Sequence, residues 1–82
     1  MVTIIYAESF KKAFKKLIKS PLKEKIKKQI SKIIDDPLLG KPMKYGRKGT
    51  RELYVKPFRI SYKYYEQTDE LVFADVYHKD AQ

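Results

Sequence analysis

Two side chains in this sequence have the chemistry to act on a charged substrate near neutral pH: Arg59 and His78. A guanidinium is planar, permanently charged and forked, so it can grip two oxygens of one phosphate at once. Histidine takes up and releases protons readily near neutrality, and His78 is the only one in 82 residues. Lys79 follows it and adds a further positive charge. Such a set suits stabilisation of a developing oxyanion together with proton transfer. Composition excludes much else. Without cysteine there is no disulfide or thiolate metal site, and one histidine cannot build a multi-histidine centre. Neither a metal nor any other cofactor is expected.

The elements that must position these residues can be read from hydrophobic spacing. Residues 2–6 are β-branched and aromatic, which predicts a short first strand. Glu8-Ser9 offers a cap and a favourable charge for a helix whose apolar stripe is Phe10, Ala13, Phe14, Leu17 and Ile18. Ser20-Pro21 restarts a second helix with Leu22, Ile26, Ile30, Ile33 and Ile34 on one face. Asp35-Asp36-Pro37 ends it, because the residue before a proline avoids the α region. Leu38 to Thr50 reads as a basic, glycine-containing loop carrying Lys41, Lys44, Arg47 and Lys48, with Arg51 at its exit.

Three alternating strands follow: Arg51 to Lys56, Phe58 to Tyr64 and Leu71 to Tyr77. They are separated by turns at Lys56-Pro57 and Gln67-Thr68-Asp69. The predicted fold is a single α+β domain over 1–82, ordered β-α-α-β-β-β, with an antiparallel sheet and a two-helix hairpin packed on one face. If Phe58, Ile60, Tyr62 and Tyr64 meet the helices, Arg59, Ser61 and Lys63 line the uncovered face. His78 ends a strand next to that of Arg59, so the two are expected to converge there. The structural alternatives are an Arg59 paired with Asp75 across strands and a His78 solvated near the chain end.

Lysine and arginine total 19 against 10 acidic residues, a net charge of +9. So large a charge on so small a body favours polyanions, although a solubilising surface would read the same way. The lysines of the two helices are expected to form a solvated face. Lys41, Lys44, Arg47, Lys48, Arg51 and Lys56 are the candidates for contact with a nucleic-acid backbone. Tyr45, Tyr54 or Tyr65 could stack on a base. No secretion signal or apolar run of spanning length is visible, so a soluble cytoplasmic protein without membrane contact is expected.

The order of elements, with SFKKAFKKL, DDPLLGKPMKYG, RELYVKPFRISY and VYHKDAQ in it, resembles the RelE/ParE toxin superfamily over essentially the whole chain. The match departs from the family at Tyr45, where the loop often has glycine, and at Gln82, short of the final helix or tail of many relatives. The resemblance implies a toxin of a type II toxin–antitoxin system with a cognate RelB-like antitoxin. Its RelE branch cleaves mRNA in the ribosomal A site, and its ParE branch inhibits DNA gyrase. On the RelE branch the partners would be the ribosome and mRNA. Arg59 then matches the basic residue used at the scissile phosphate. His78 and Lys79 match the basic pair after the last strand, and Lys44 a basic residue of the preceding loop. Cleavage would proceed without metal, by attack of the neighbouring 2′-hydroxyl. A ParE-like inhibitor that acts without chemistry of its own is the second expectation.

Overall fold

The computed structural model describes residues 2–42 and 49–80. The elements are β1 (Thr3–Tyr6), α1 (Glu8–Leu17), α2 (Leu22–Asp35), β2 (Lys41–Pro42), β3 (Thr50–Val55), β4 (Phe58–Tyr65) and β5 (Glu70–His78). They build an α+β fold in which one five-stranded sheet has the order β1-β5-β4-β3-β2. The β3–β4 and β4–β5 pairs are antiparallel, as expected for hairpins. β1 joins parallel to β5, so the added first strand makes the otherwise antiparallel sheet a mixed one. The stretch expected to be only loop also contributes β2, a two-residue edge strand pairing Lys41 with Glu52 and Pro42 with Arg51.

Both helices use their apolar stripes because neither could hold its shape alone at this length. α1 buries Phe10, and α2 buries Ile26, Ile30 and Ile33. They pack against Val55, Ile60, Tyr62, Leu71, Phe73 and Val76 from the sheet. Each fully buried aliphatic side chain of this kind contributes about 1.5–3 kcal/mol. Ile18, expected in the stripe of α1, instead lies past the last helical residue and is 48% exposed.

The two helix starts differ from each other. At α2 the N-cap position is Pro21, and Ser20 Oγ, one residue before it, accepts the backbone N–H of Leu22 at 3.1 Å. At α1 the N-cap position is Ala7, with no side-chain cap. Ser9 sits two residues further in and donates its hydroxyl to the carbonyl of Ala74 on β5. That bond matters for the site below.

The segment between α2 and β2 is tied down by two side chains. Tyr62 Oη accepts the N–H of Gly40 at 2.7 Å and donates to the carbonyl of Pro37 at 2.9 Å. Burial pushes the Tyr62 phenol above its ordinary pKa. Arg51 Nη1 donates to the carbonyls of Gly40 at 2.7 Å and Leu38 at 3.3 Å. A Cβ on Gly40 would fall 2.7 Å from Tyr62 Oη and 2.9 Å from the carbonyl oxygen of Glu52, so only glycine lets the chain pass here. Among the described residues no helix is long and apolar enough to cross a membrane.

Candidate nucleic-acid interface

Residues directly opposite each other on paired strands share a face, and this assigns every side chain of the sheet. Leu53, Ile60 and Val76 stand in one row on the helix side. Tyr54, Arg59 and Tyr77 stand in the next row on the uncovered side. Glu52, Ser61 and Asp75 form a second uncovered row, with Lys41 opposite Glu52 at the edge. The parity expected for Arg59, Ser61 and Lys63 therefore holds.

Arg59 lies at the centre of this face, its side chain 37% exposed. Its Nη1 is 3.2 Å from Oε1 of Glu52, whose own side chain is only 10% exposed. The guanidinium carbon stands 6.0 Å from the centre of the Tyr54 ring, close enough for a cation–π contribution. Asp75, the partner that the structural alternative for Arg59 would require, instead accepts the backbone N–H of Val76 at 2.8 Å. The partner is Glu52, which the sequence reading missed. It was findable, because a tight hairpin at Lys56-Pro57 sets Tyr54 opposite Arg59 and leaves Glu52 diagonal to it. Lys41, Pro42, Glu52, Leu53, Tyr54 and Arg59 line an open groove.

The expected convergence of Arg59 and His78 does not occur. Arg59 is paired with Tyr77, and His78 is paired with Phe58 on the helix side of the sheet. The imidazole meets the Phe58 ring edge-on, with centroids 5.5 Å apart. It lines a shallow pocket with Ala13, Lys16 and Leu17 of the helical layer. Its Nδ1 accepts the backbone N–H of Asp80 at 3.2 Å and lies 3.8 Å from the Asp80 carboxylate. The cause is a β-bulge. Tyr62 pairs with Phe73 but Ser61 pairs with Asp75, so Ala74 is an extra residue without a partner on β4. One inserted residue reverses the facing of everything beyond it, His78 included. The free carbonyl of Ala74 is the one that Ser9 captures.

The other expected site residues divide. Lys79 donates its N–H to the carbonyl of Pro57 at 3.0 Å, continuing the ladder by one residue. It is the first residue past β5 and lies in a turn. Lys41 and Lys56 are exposed, at the edge strand and the β3–β4 turn respectively. Arg51 faces the other way and directs its guanidinium at loop carbonyls. Tyr54 is 50% exposed beneath Arg59, and Tyr65 is 48% exposed at the far end of β4. Lys44, Tyr45, Arg47 and Lys48 lie outside the described residues.

Fold and sequence together define a class: a toxin of type II toxin–antitoxin systems, within the RelE/ParE superfamily. Residues 4–82 match the family described as ParE toxin of type II toxin-antitoxin system, parDE, and the chain belongs to that family. Similar solved structures include the RelBE2 toxin–antitoxin complex of Mycobacterium tuberculosis, at 20% identity over 95% of this chain and 98% of that one, with a TM-score of 0.79. YafQ of Escherichia coli is 21% identical over 99% and 97%, with a TM-score of 0.81. A YoeB/ParE toxin of Agrobacterium tumefaciens is 15% identical over 94% and 98%, with a TM-score of 0.82. At these identities the likeness is one of fold. No curated protein matches the chain in sequence.

Proposed function

We propose that this toxin is a ribosome-dependent mRNA endonuclease that cleaves by attack of the 2′-hydroxyl on the adjacent phosphate. The observation that carries the reading is Arg59, fixed by Glu52 over Tyr54 on the uncovered face of a strongly basic protein. Glu52 engages Nη1, and among the described residues no further side-chain partner of the guanidinium competes with phosphate oxygens. Lys79, one residue past β5, can stabilise the leaving oxygen, while Lys41 and Lys56 draw in the backbone. So sparse a set needs a substrate held in place, and the ribosome would provide that orientation. His78, turned toward the helices, is outside this cluster.

The opposed facing of Arg59 and His78 favours a second reading, a ParE-like inhibitor of DNA gyrase that works by contact alone. Primer-extension mapping of mRNA in a translating extract, beside a supercoiling assay with purified gyrase, separates the two. New 3′ ends within codons support cleavage. Intact mRNA with blocked supercoiling supports the inhibitor.

On either reading we infer a cognate RelB-like antitoxin as partner and a cytoplasmic place of action. The resemblance to toxins solved in complex with their antitoxins supports the partner. An acidic peptide would find charge complementarity over most of this surface.

A further inference from the structure

We propose that the substrate strand runs along β4 from Arg59 to a second nucleotide subsite, where Lys63 takes a backbone phosphate and Tyr65 stacks on a base. The inference rests on the nuclease reading above and gives the RNA a place beyond the cleaved bond.

Alternation along β4 puts Arg59, Ser61, Lys63 and Tyr65 on the uncovered face. Tyr62 and Tyr64 point the other way, into or against the core. The bulge leaves this order intact, because its extra residue belongs to β5. The face therefore carries a cation and an aromatic toward each end. Arg59 lies near Tyr54 at one end, and Lys63 precedes Tyr65 on the same side of β4 at the other. At about 3.3 Å per residue, Lys63 stands about 13 Å along the strand from Arg59, and Tyr65 about 20 Å. A single strand a few nucleotides long bridges that distance.

The groups at the far end have no other task in the fold. Lys63 lies opposite Thr50 and Val72, so no acid faces it across either pairing. Among the described residues it forms no ion pair, and its ammonium is not one of the buried polar atoms left without a partner. The charge is thus open to solvent on the face where phosphate is expected. Val72 and then Ile5 continue the row of Lys63, and Ile5 is exposed. Tyr65 is also exposed and takes no part in the core cluster. A cation beside apolar and aromatic surface is the pattern that holds single-stranded nucleic acid: the charge follows the backbone and the ring receives a base. Glu70 stands opposite Tyr65 and repels phosphate from that row. The backbone is therefore confined to Lys63, and only the uncharged base reaches the ring.

The test uses a short fluorescein-labelled single-stranded RNA with 2′-methoxy riboses, which cannot be cleaved by 2′-hydroxyl attack. An abasic strand of the same length and backbone is measured beside it. Fluorescence anisotropy is followed across a salt series for the wild-type protein, Tyr65→Leu, Tyr65→Phe and Lys63→Ala. Tyr65→Leu keeps apolar bulk without the ring and should bind the intact RNA about 5-fold or more weakly, the low end for one stacked base. On the abasic strand it should match wild type within about 2-fold, because no base is there to stack. Tyr65→Phe restores the ring and should restore the affinity. Lys63→Ala should lower the slope of log K against log salt by about 0.7 on both strands, the share of one phosphate contact. Wild-type affinity of Tyr65→Leu for the intact RNA overturns the proposal, as does an equal loss on both strands or an unchanged slope in Lys63→Ala. Thermal melts identify a variant that does not fold; should that be Tyr65→Leu, the slope of Lys63→Ala decides. A wild-type protein that shows these dependences yet leaves mRNA intact in a translating extract overturns the nuclease reading alone, a different result from RNA binding indifferent to residues 63 and 65.

Discussion

Arg59 and His78 sit on neighbouring strands one residue out of step and point to opposite faces of the sheet. The bulge at Ala74 is responsible. Without the extra residue, His78 would alternate onto the face of Arg59; with it, the imidazole packs against Phe58 below the helices. The open face keeps a guanidinium, two tyrosines and a buried carboxylate. Its groups are of the kind that bind anions, and the imidazole is not among them.

The bulge should depend on Ser9. Its hydroxyl is the group that satisfies the Ala74 carbonyl, which has no place in the ladder. Ser9→Ala is expected to lower stability by about 0.5–1.5 kcal/mol, the usual net worth of one such hydrogen bond. Urea denaturation should show a lower midpoint at unchanged slope. Amide exchange at Val76 and Tyr77 should accelerate more than the global loss accounts for. Unchanged exchange there would mean that the bulge is held by the sheet alone.

Tyr62 ties the α2–β2 segment to the core, and Tyr62→Phe leaves the Gly40 N–H and the Pro37 carbonyl without their partner. A loss of about 1–3 kcal/mol is expected, as for other buried groups left unpaired. The pH dependence has a defined sign. Burial raises the Tyr62 phenol, so above about pH 10 the unfolded chain gives up this proton first. The stabilisation is complete below that pH and is lost as pH rises toward the folded value. Denaturation measured from pH 8 to 11 should therefore show a steeper alkaline decline in wild type than in Tyr62→Phe. Parallel curves would contradict the assignment.

Binding to RNA should be strongly salt-dependent, because a sequence-blind electrostatic term dominates such contacts. Each phosphate contact adds about 0.7 to the slope of log K against log salt for single strands. Lys41→Ala and Lys79→Ala should each lower that slope by roughly this amount at a noncleavable RNA. Arg51→Ala should leave it nearly unchanged and cost stability instead, since its guanidinium is spent on the carbonyls of Leu38 and Gly40. Fluorescence anisotropy across a salt series measures all three. A full unit lost at Arg51 with none at Lys41 would reverse the picture.

Much of the fold is legible in the sequence because it is written in periodicity. The stripe at Ile26, Ile30 and Ile33 and the alternation through Phe58, Ile60 and Tyr62 are local signals; the three isoleucines, Ile60 and Tyr62 are buried, and Phe58 is half-buried. The open face of Arg59 follows from the same alternation. The facing of His78 does not, since it depends on one inserted residue in a neighbouring strand, and nothing local to Ala74 announces a bulge. Ser9 looks like a helix cap for the same reason. Its type is right for a cap, but its actual acceptor lies 65 residues away. The parallel pairing of β1 with β5 is likewise a long-range choice, made by packing rather than by either strand alone. Glu52 was within reach of hairpin counting.

The face of Arg59 is the claim on which the functional account turns, and a side-by-side comparison of Arg59→Ala with His78→Ala tests it most directly. Both variants are added to a translating extract, and mRNA cleavage is followed by primer extension at equal protein concentration. The account predicts a loss of about 100-fold or more for Arg59→Ala, the scale of removing one oxyanion-stabilising group, and a change under about 10-fold for His78→Ala. Full activity in Arg59→Ala, or abolition of cleavage by His78→Ala with the fold intact, would contradict it.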